Sequence, residues 1–136
     1  MDTFVVLGLP VPQGSMKHVG GGRIVSKSPK LKEWRTKIAQ VVREQVGEPA
    51  HQDPVSVTVI FTFNKPKTVT REMPTVPPDL DKLLRGLLDG IGQGHDTGKV
   101  GDGLIWGDDS QVVEIVAKKF YADDRLPGAD IRIFPL

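Results

Sequence analysis

Two aspartates one residue apart, Asp79 and Asp81, stand in the stretch PPDLDKLLRGLLDGIG, where an apolar-periodic run is about to begin. A second acidic pair, Asp108-Asp109, lies downstream in IWGDDSQVVEI. Carboxylates are hard oxygen ligands. Three of them around one focus suit Mg²⁺ or Mn²⁺, which prefer oxygen donors and keep waters that a substrate phosphate can displace. Such an ion beside a basic surface is the minimum apparatus for phosphodiester hydrolysis, because it acidifies a bound water and offsets charge on the scissile phosphate. Each pair also has a bland explanation. One of Asp79 and Asp81 can cap a helix while its neighbour serves as a first-turn acid, and GDDS is a fair turn sequence. The cap accounts for one carboxylate and leaves the other without a reason.

Geometry decides whether the first pair can act together. On a helix, positions i and i+2 point about 200° apart, whereas on an extended segment they share a face. Pro77 and Pro78 favour extended backbone, so Asp79 is expected to lie just outside the helix. The two carboxylates then converge across its N-terminal junction. Asp108 and Asp109 are adjacent at the expected entrance of a strand and point to opposite sides, so at most one of them can join Asp79 and Asp81.

The elements that must position these groups follow from periodicity. Apolar residues at Leu80, Leu83, Leu84, Leu87, Leu88 and Ile91 form one stripe and predict a helix from about Leu80 to Asp89. An earlier helix is predicted from Ser28, as N-cap, and Pro29 in the first turn. It carries Leu31, Trp34, Ile38, Val41, Val42 and Val46 on one side, and Gly47 with Pro49 ends it. Clean alternation in Val55–Phe63 marks a strand. Thr3–Leu9, Gln111–Tyr121 and Ala129–Phe134 read as further strands, the last as an edge strand. MKHVGGGRIVS reads as a small hairpin or flap. NKPKTVTREMPTVPPD is a proline-interrupted basic loop, and residues 90–103 are a long glycine-rich loop. The sum is an α/β (α+β) chain, a single domain over residues 1–136, with a mixed sheet of four to five strands packed against two main helices.

Bulk properties fit that reading and narrow the chemistry. The chain has 136 residues, 38% hydrophobic and 26% charged, and no cysteine. Thiolate metal sites, cysteine nucleophiles and disulfide scaffolds are thereby excluded, and a reducing cytoplasm is expected. The N-terminus lacks a signal-peptide pattern, and no segment approaches membrane-spanning length. The formal net charge of +1 conceals an asymmetry. Residues 1–71 hold 11 Lys+Arg against 5 Asp+Glu, net +6, and residues 72–136 hold 7 against 12, net −5. A basic half can hold a polyanion while the acidic half collects cations, although two solvated faces that merely differ would read the same way.

DLDKLLRGLLDGI followed by IWGDDSQVVEI resembles the two-part signature of the RusA-type Holliday junction resolvases, endodeoxyribonucleases of bacteria and their phages. The opening PVPQGSMKHVGGGRIVSKSPKLKEWR is similar to that family's as well, so the likeness covers most of the chain. It implies catalytic, metal-binding carboxylates at Asp79, Asp81 and Asp109, with Asp108 as the flanking acid. It further implies Mg²⁺ dependence, a homodimer with two active sites, symmetric nicking of four-way DNA junctions, and a cytoplasmic setting in a bacterial or phage-infected cell. The best-studied members carry a lysine four residues after the second aspartate, where this chain has Arg85. Arginine can hold a phosphate and stabilise transition-state charge but cannot readily release a proton. Lys82 lies on a nearby face and is a possible stand-in, although both cations also read as solvated helix charge.

Lys17, Arg23, Lys27 and Lys30 are candidate DNA-backbone contacts on the early loop and helix start. Lys65, Lys67, Arg71 and Lys82 form a second set near the carboxylates. Such contacts bring salt dependence and little base readout. His18, His51 and His95 have no paired spacing and do not suggest zinc. Ser15, Ser26 and Ser110 lack a nucleophile-elbow context, and Gly20–Gly22 matches no phosphate loop. Trp34 belongs to the core stripe, while Trp106 can either pack or stack on a base. The alternative to a nuclease is a branched-DNA-binding recombination accessory with weak or no cleavage.

Overall fold

A computed structural model of the chain describes residues 2–14, 16–19, 23–26, 29–45, 52–92, 109–123 and 125–136. The elements are β1 (Asp2–Leu7), β2 (Met16–Val19), β3 (Arg23–Ser26), α1 (Pro29–Gln45), β4 (Val55–Asn64), α2 (Leu80–Gly92), a 3₁₀ turn (Asp109–Gln111), β5 (Val112–Ala122) and β6 (Gly128–Pro135). Four strands form one sheet in the order β1-β6-β4-β5, and β2 pairs with β3 as a separate antiparallel hairpin. β4 and β5 run parallel, whereas β6 is antiparallel to both β1 and β4. The sheet is therefore mixed, and with the two helices it makes the expected α+β fold.

The core lies between one face of this sheet and the two helices. Val55, Val57, Val59, Phe61 and Phe63 of β4 point into it, as their alternation requires. From α1 come Trp34, Ile38 and Val42, and from α2 come Leu83, Leu87 and Ile91. Leu80, Leu84 and Leu88 are half-buried against the same cluster. The two helices approach closely at Gly90. A Cβ built there would lie 3.1–3.2 Å from three carbons of Ile38, so the absence of a side chain sets the crossing. Arg35 of α1 completes the contact by donating to the Asp89 carboxylate at 2.9 Å and to the Gln13 side chain. Among the described residues, no helix is long and apolar enough to cross a membrane.

Three expectations need correction. β6 is not an edge strand, because it sits between β1 and β4. Its charged residues Asp130 and Arg132 alternate with Ala129, Ile131 and Ile133, which point into the core. Charge on one face of a strand marks the solvent side of a sheet, not its rim. Second, α2 runs on to Gly92, so residues 90–92 of the segment read as a loop over 90–103 are helical, and residues 93–103 lie outside the described residues. Third, Asp109 belongs to a 3₁₀ turn, and the strand after it starts at Val112 rather than Gln111. Ser28 and Val46, at the two ends of α1, also fall outside the described residues.

Candidate active site

Asp79 is the residue immediately before α2. Its carbonyl accepts the amide of Leu83 at 3.1 Å, the first intrahelical bond, which makes it the N-cap position. Its carboxylate is well exposed and lies 3.6 Å from Lys82 Nζ. Asp81 is in the first turn of α2 and exposed. The pair thus straddles the junction between extended loop and helix. Arg85 follows Asp81 by four residues, on the same side of the helix, and is also exposed. Asp81 and Arg85 form no ion pair among the described residues, so both remain available to a ligand.

Two devices hold this corner in place. The buried face of α2 anchors the helix, and the Gln13 amide donates to the Lys82 carbonyl at 2.9 Å. The loop before Asp79 is fastened from the sheet. Lys119 of β5 donates from Nζ to the carbonyls of Val76 and Pro78, at 3.0 Å each. An ammonium bonded to two backbone oxygens is a charge-assisted clamp, and it closes on the residue next to Asp79. Lys119 was not singled out from sequence. The readable signal was KKFY at the end of a strand, where alternation requires Lys119 and Tyr121 to share one side.

Asp109 is elsewhere. Gln111 donates from Nε2 to the Asp53 carbonyl at 3.1 Å, which ties the 3₁₀ turn to the start of β4. Asp79 belongs to the segment that leaves the end of β4 and is clamped by Lys119. β5 spans roughly 23 Å from Val112 to Lys119, at about 3.3 Å per residue. One chain therefore holds Asp79 and Asp81 at one end of β5 and Asp109 at the other. Among the described residues, no group of three or more His, Cys, Asp or Glu side chains is placed to hold a metal. Asp79 and Asp81 stand together, and the backbone of Asp109 lies toward the far end of β5, because a parallel β4–β5 pair sends its connection back along the length of the sheet. Asp108 and Trp106 lie outside the described residues.

The basic candidates divide into groups. Lys17 is on β2 and Arg23 on β3, in a hairpin whose register pairs Lys17 with Val25 and Val19 with Arg23. Lys27 lies outside the described residues. Lys30, in the first turn of α1, lines a groove with Gly8, Glu33, Trp34 and Lys37. Lys82 is engaged with Asp79. Lys67 is exposed in a turn closed by the Val69 amide on the Pro66 carbonyl at 3.1 Å. Lys65 and Arg71 gather at Tyr121 of β5, 6.0 Å and 5.9 Å from its ring centre.

Two exposed carboxylates at a helix start, with a single lysine at 3.6 Å, fit a hard divalent cation. Such an ion is held by one or two carboxylates together with waters and substrate phosphate. The donor set excludes soft metals, since it contains neither sulfur nor imidazole.

Residues 8–134 match the family described as Endodeoxyribonuclease RusA. The chain is also similar to a relative known as "Uncharacterized protein YqaN" from Bacillus subtilis (strain 168). The two are 29% identical over 144 residues, covering 96% of this chain and 93% of that protein.

Proposed function

Because the chain belongs to the RusA endodeoxyribonuclease family, we propose that it is a divalent-metal-dependent nuclease that resolves four-way DNA junctions as a homodimer. The observation that carries this reading is the Asp79–Asp81 pair astride the start of α2, clamped through Pro78 by Lys119. Mg²⁺, with Mn²⁺ as a substitute, would be held by Asp79 and Asp81 together with Asp109 of the partner subunit. When bound, the ion would acidify a water and offset charge on the scissile phosphate. Arg85 supplies a fixed positive charge that holds the phosphate.

The position of the Asp109 backbone, at the other end of β5 from Asp79, supports a second copy. Among the described residues β5 is an edge of the four-stranded sheet, and Val113, Ile115 and Val116 on its first half are exposed at 62%, 40% and 43%. An unpaired, apolar edge is a template for another strand. Antiparallel pairing of two β5 strands about a two-fold axis centred on that exposed run would buttress both. The same symmetry would set Asp109 of the partner subunit level with Phe120, beside Lys119 and the loop that leads to Asp79. Two such sites, related by the axis, suit a junction that needs two cuts.

The test is incubation of the purified protein with a synthetic four-way junction and with linear duplex, with and without Mg²⁺. Paired nicks in the junction alone, dependent on the metal, are expected. Equal cutting of both substrates would remove junction selectivity. Tight junction binding without nicking in either Mg²⁺ or Mn²⁺ would favour the recombination accessory.

The clamp makes a separate prediction. Lys119→Met removes both bonds to the loop and should lower the cleavage rate about 10- to 100-fold, the usual range for losing a group that orients a metal ligand. A positioning role predicts that the Mg²⁺ concentration giving half-maximal rate rises, while Lys119→Arg recovers much of the loss. An unchanged metal requirement in Lys119→Met would remove the assignment.

A further inference from the structure

Next to the clamp is a second cluster of cations, with no acid in it among the described residues. A pocket of ≈ 170 Å³ is walled by Pro74, Pro77 and Pro78 and bordered by Arg71, Lys119 and Tyr121. Arg71 is half-buried and donates from Nε to the Tyr121 hydroxyl at 2.8 Å. Its guanidinium carbon stands 5.9 Å from the centre of the same ring, and Lys65 Nζ stands 6.0 Å from it. Among the described residues none of Lys65, Arg71 and Lys119 is paired with a carboxylate, although Asp79 is only one residue beyond Pro78. A guanidinium whose Nε is committed to a tyrosine has its fork fixed in direction while both Nη groups remain to donate. That geometry matches two oxygens of a phosphate.

We propose that Arg71, oriented by Tyr121 and assisted by Lys65, binds one backbone phosphate of the DNA strand adjacent to the phosphate that is cut. This rests on the nuclease reading and adds to it a register-setting subsite. Lys119 joins the two sites, since it borders the pocket and also holds the carbonyl before Asp79. A strand gripped at Arg71 is thereby fixed relative to the metal-binding carboxylates. The proline walls are apolar and rigid, so they shape the pocket without competing for the anion. Tyr121 thus acts as a positioning residue for Arg71.

The test measures binding of a four-way junction without divalent cation across a range of salt concentrations. Arg71→Ala should weaken binding about fivefold to twentyfold and lower the slope of log affinity against log salt by about 0.9, one phosphate contact. Tyr121→Phe should cost about two- to threefold in the wild-type background and nothing further in Arg71→Ala, because its hydroxyl acts only through the arginine. A set of junctions, each with one neutral methylphosphonate near the crossover, locates the contact. One position should weaken wild type and leave Arg71→Ala unaffected.

If wild type binds the junction but Arg71→Ala keeps the same affinity and slope, the subsite is wrong and the nuclease reading stands. Additive losses from Arg71→Ala and Tyr121→Phe would overturn the orienting role of the tyrosine. A wild-type protein that binds no DNA at any salt would overturn the proposed function together with the subsite.

Discussion

Asp81→Asn is expected to lower the single-turnover nicking rate of a four-way junction by about two orders of magnitude or more. Losing a residue that merely orients a metal ligand costs about 10- to 100-fold, and a ligand itself should cost at least the upper end of that range. Asparagine keeps the size and one oxygen of aspartate but removes the charge that would hold the ion. Junction binding without divalent cation should be unchanged or tighter, because a negative charge beside a polyanion has been removed. The urea midpoint should stay where it is, since Asp81 is exposed and makes no ion pair among the described residues. Undiminished nicking by Asp81→Asn would sink the metal assignment.

The same variant can test whether the site is shared between subunits. Mixed in equal amounts with Asp109→Asn, it should form heterodimers that each carry one intact site, so that nicking returns to about a quarter of the wild-type site number. If all three carboxylates acted within one chain, every site in the mixture would be defective and no activity would return. Arg85→Lys belongs to the same series. A large gain in rate would mean that proton transfer from a lysine matters to the chemistry, and an unchanged rate would mean that fixed charge is sufficient.

Leu87→Ala is expected to have the largest effect on stability. Leu87 has no exposed surface and sits in the cluster formed by α1, α2 and β4. Truncating a fully buried leucine costs about 2–5 kcal/mol, the lost transfer energy plus that of the cavity left behind. Typical domains are stable by only about 5–15 kcal/mol, so this one change can consume a large fraction of the total. The urea midpoint should fall with the slope unchanged. At low temperature the molecules that remain folded should nick at close to the wild-type rate. Asp81→Asn and Leu87→Ala are therefore opposites, one silent in unfolding and the other silent in the chemistry of the folded fraction. A midpoint shift below about 1 kcal/mol for Leu87→Ala would mean that the helix packs more loosely than its burial indicates.

The helices and β4 were legible because burial on one side writes a period into the sequence. Leu83, Leu87 and Ile91 on α2 and Val57, Val59 and Phe61 on β4 point where their spacing requires. The place of Asp79 outside the helix was legible for a local reason, the two prolines before it. What failed was not local. Neighbours in a sheet are chosen by the whole fold, so nothing in GADIRIFP says whether it lies at the rim or between β1 and β4. The distance between Asp81 and Asp109 depends on the direction of β5 relative to β4, which neither motif encodes. The role of Lys119 depends on the carbonyls of Val76 and Pro78, some forty residues earlier, coming within its reach. Short motifs identified the chemical groups, and only the strand order put the backbone of Asp109 at the other end of β5 from Asp79 and Asp81.

That order also governs when the sheet can close as the chain is made. β6 leaves the ribosome after every other strand, yet it is the one that joins β1 to β4. Until it emerges, β1 has no partner in the sheet and the core face of β4 lacks Ala129, Ile131 and Ile133. Contacts this distant in sequence close late and slowly. A chain still under synthesis carries its aspartates on a scaffold without a centre. The sheet that carries α2 is complete only with β6, so the corner holding Asp79 and Asp81 gains its full support late in synthesis.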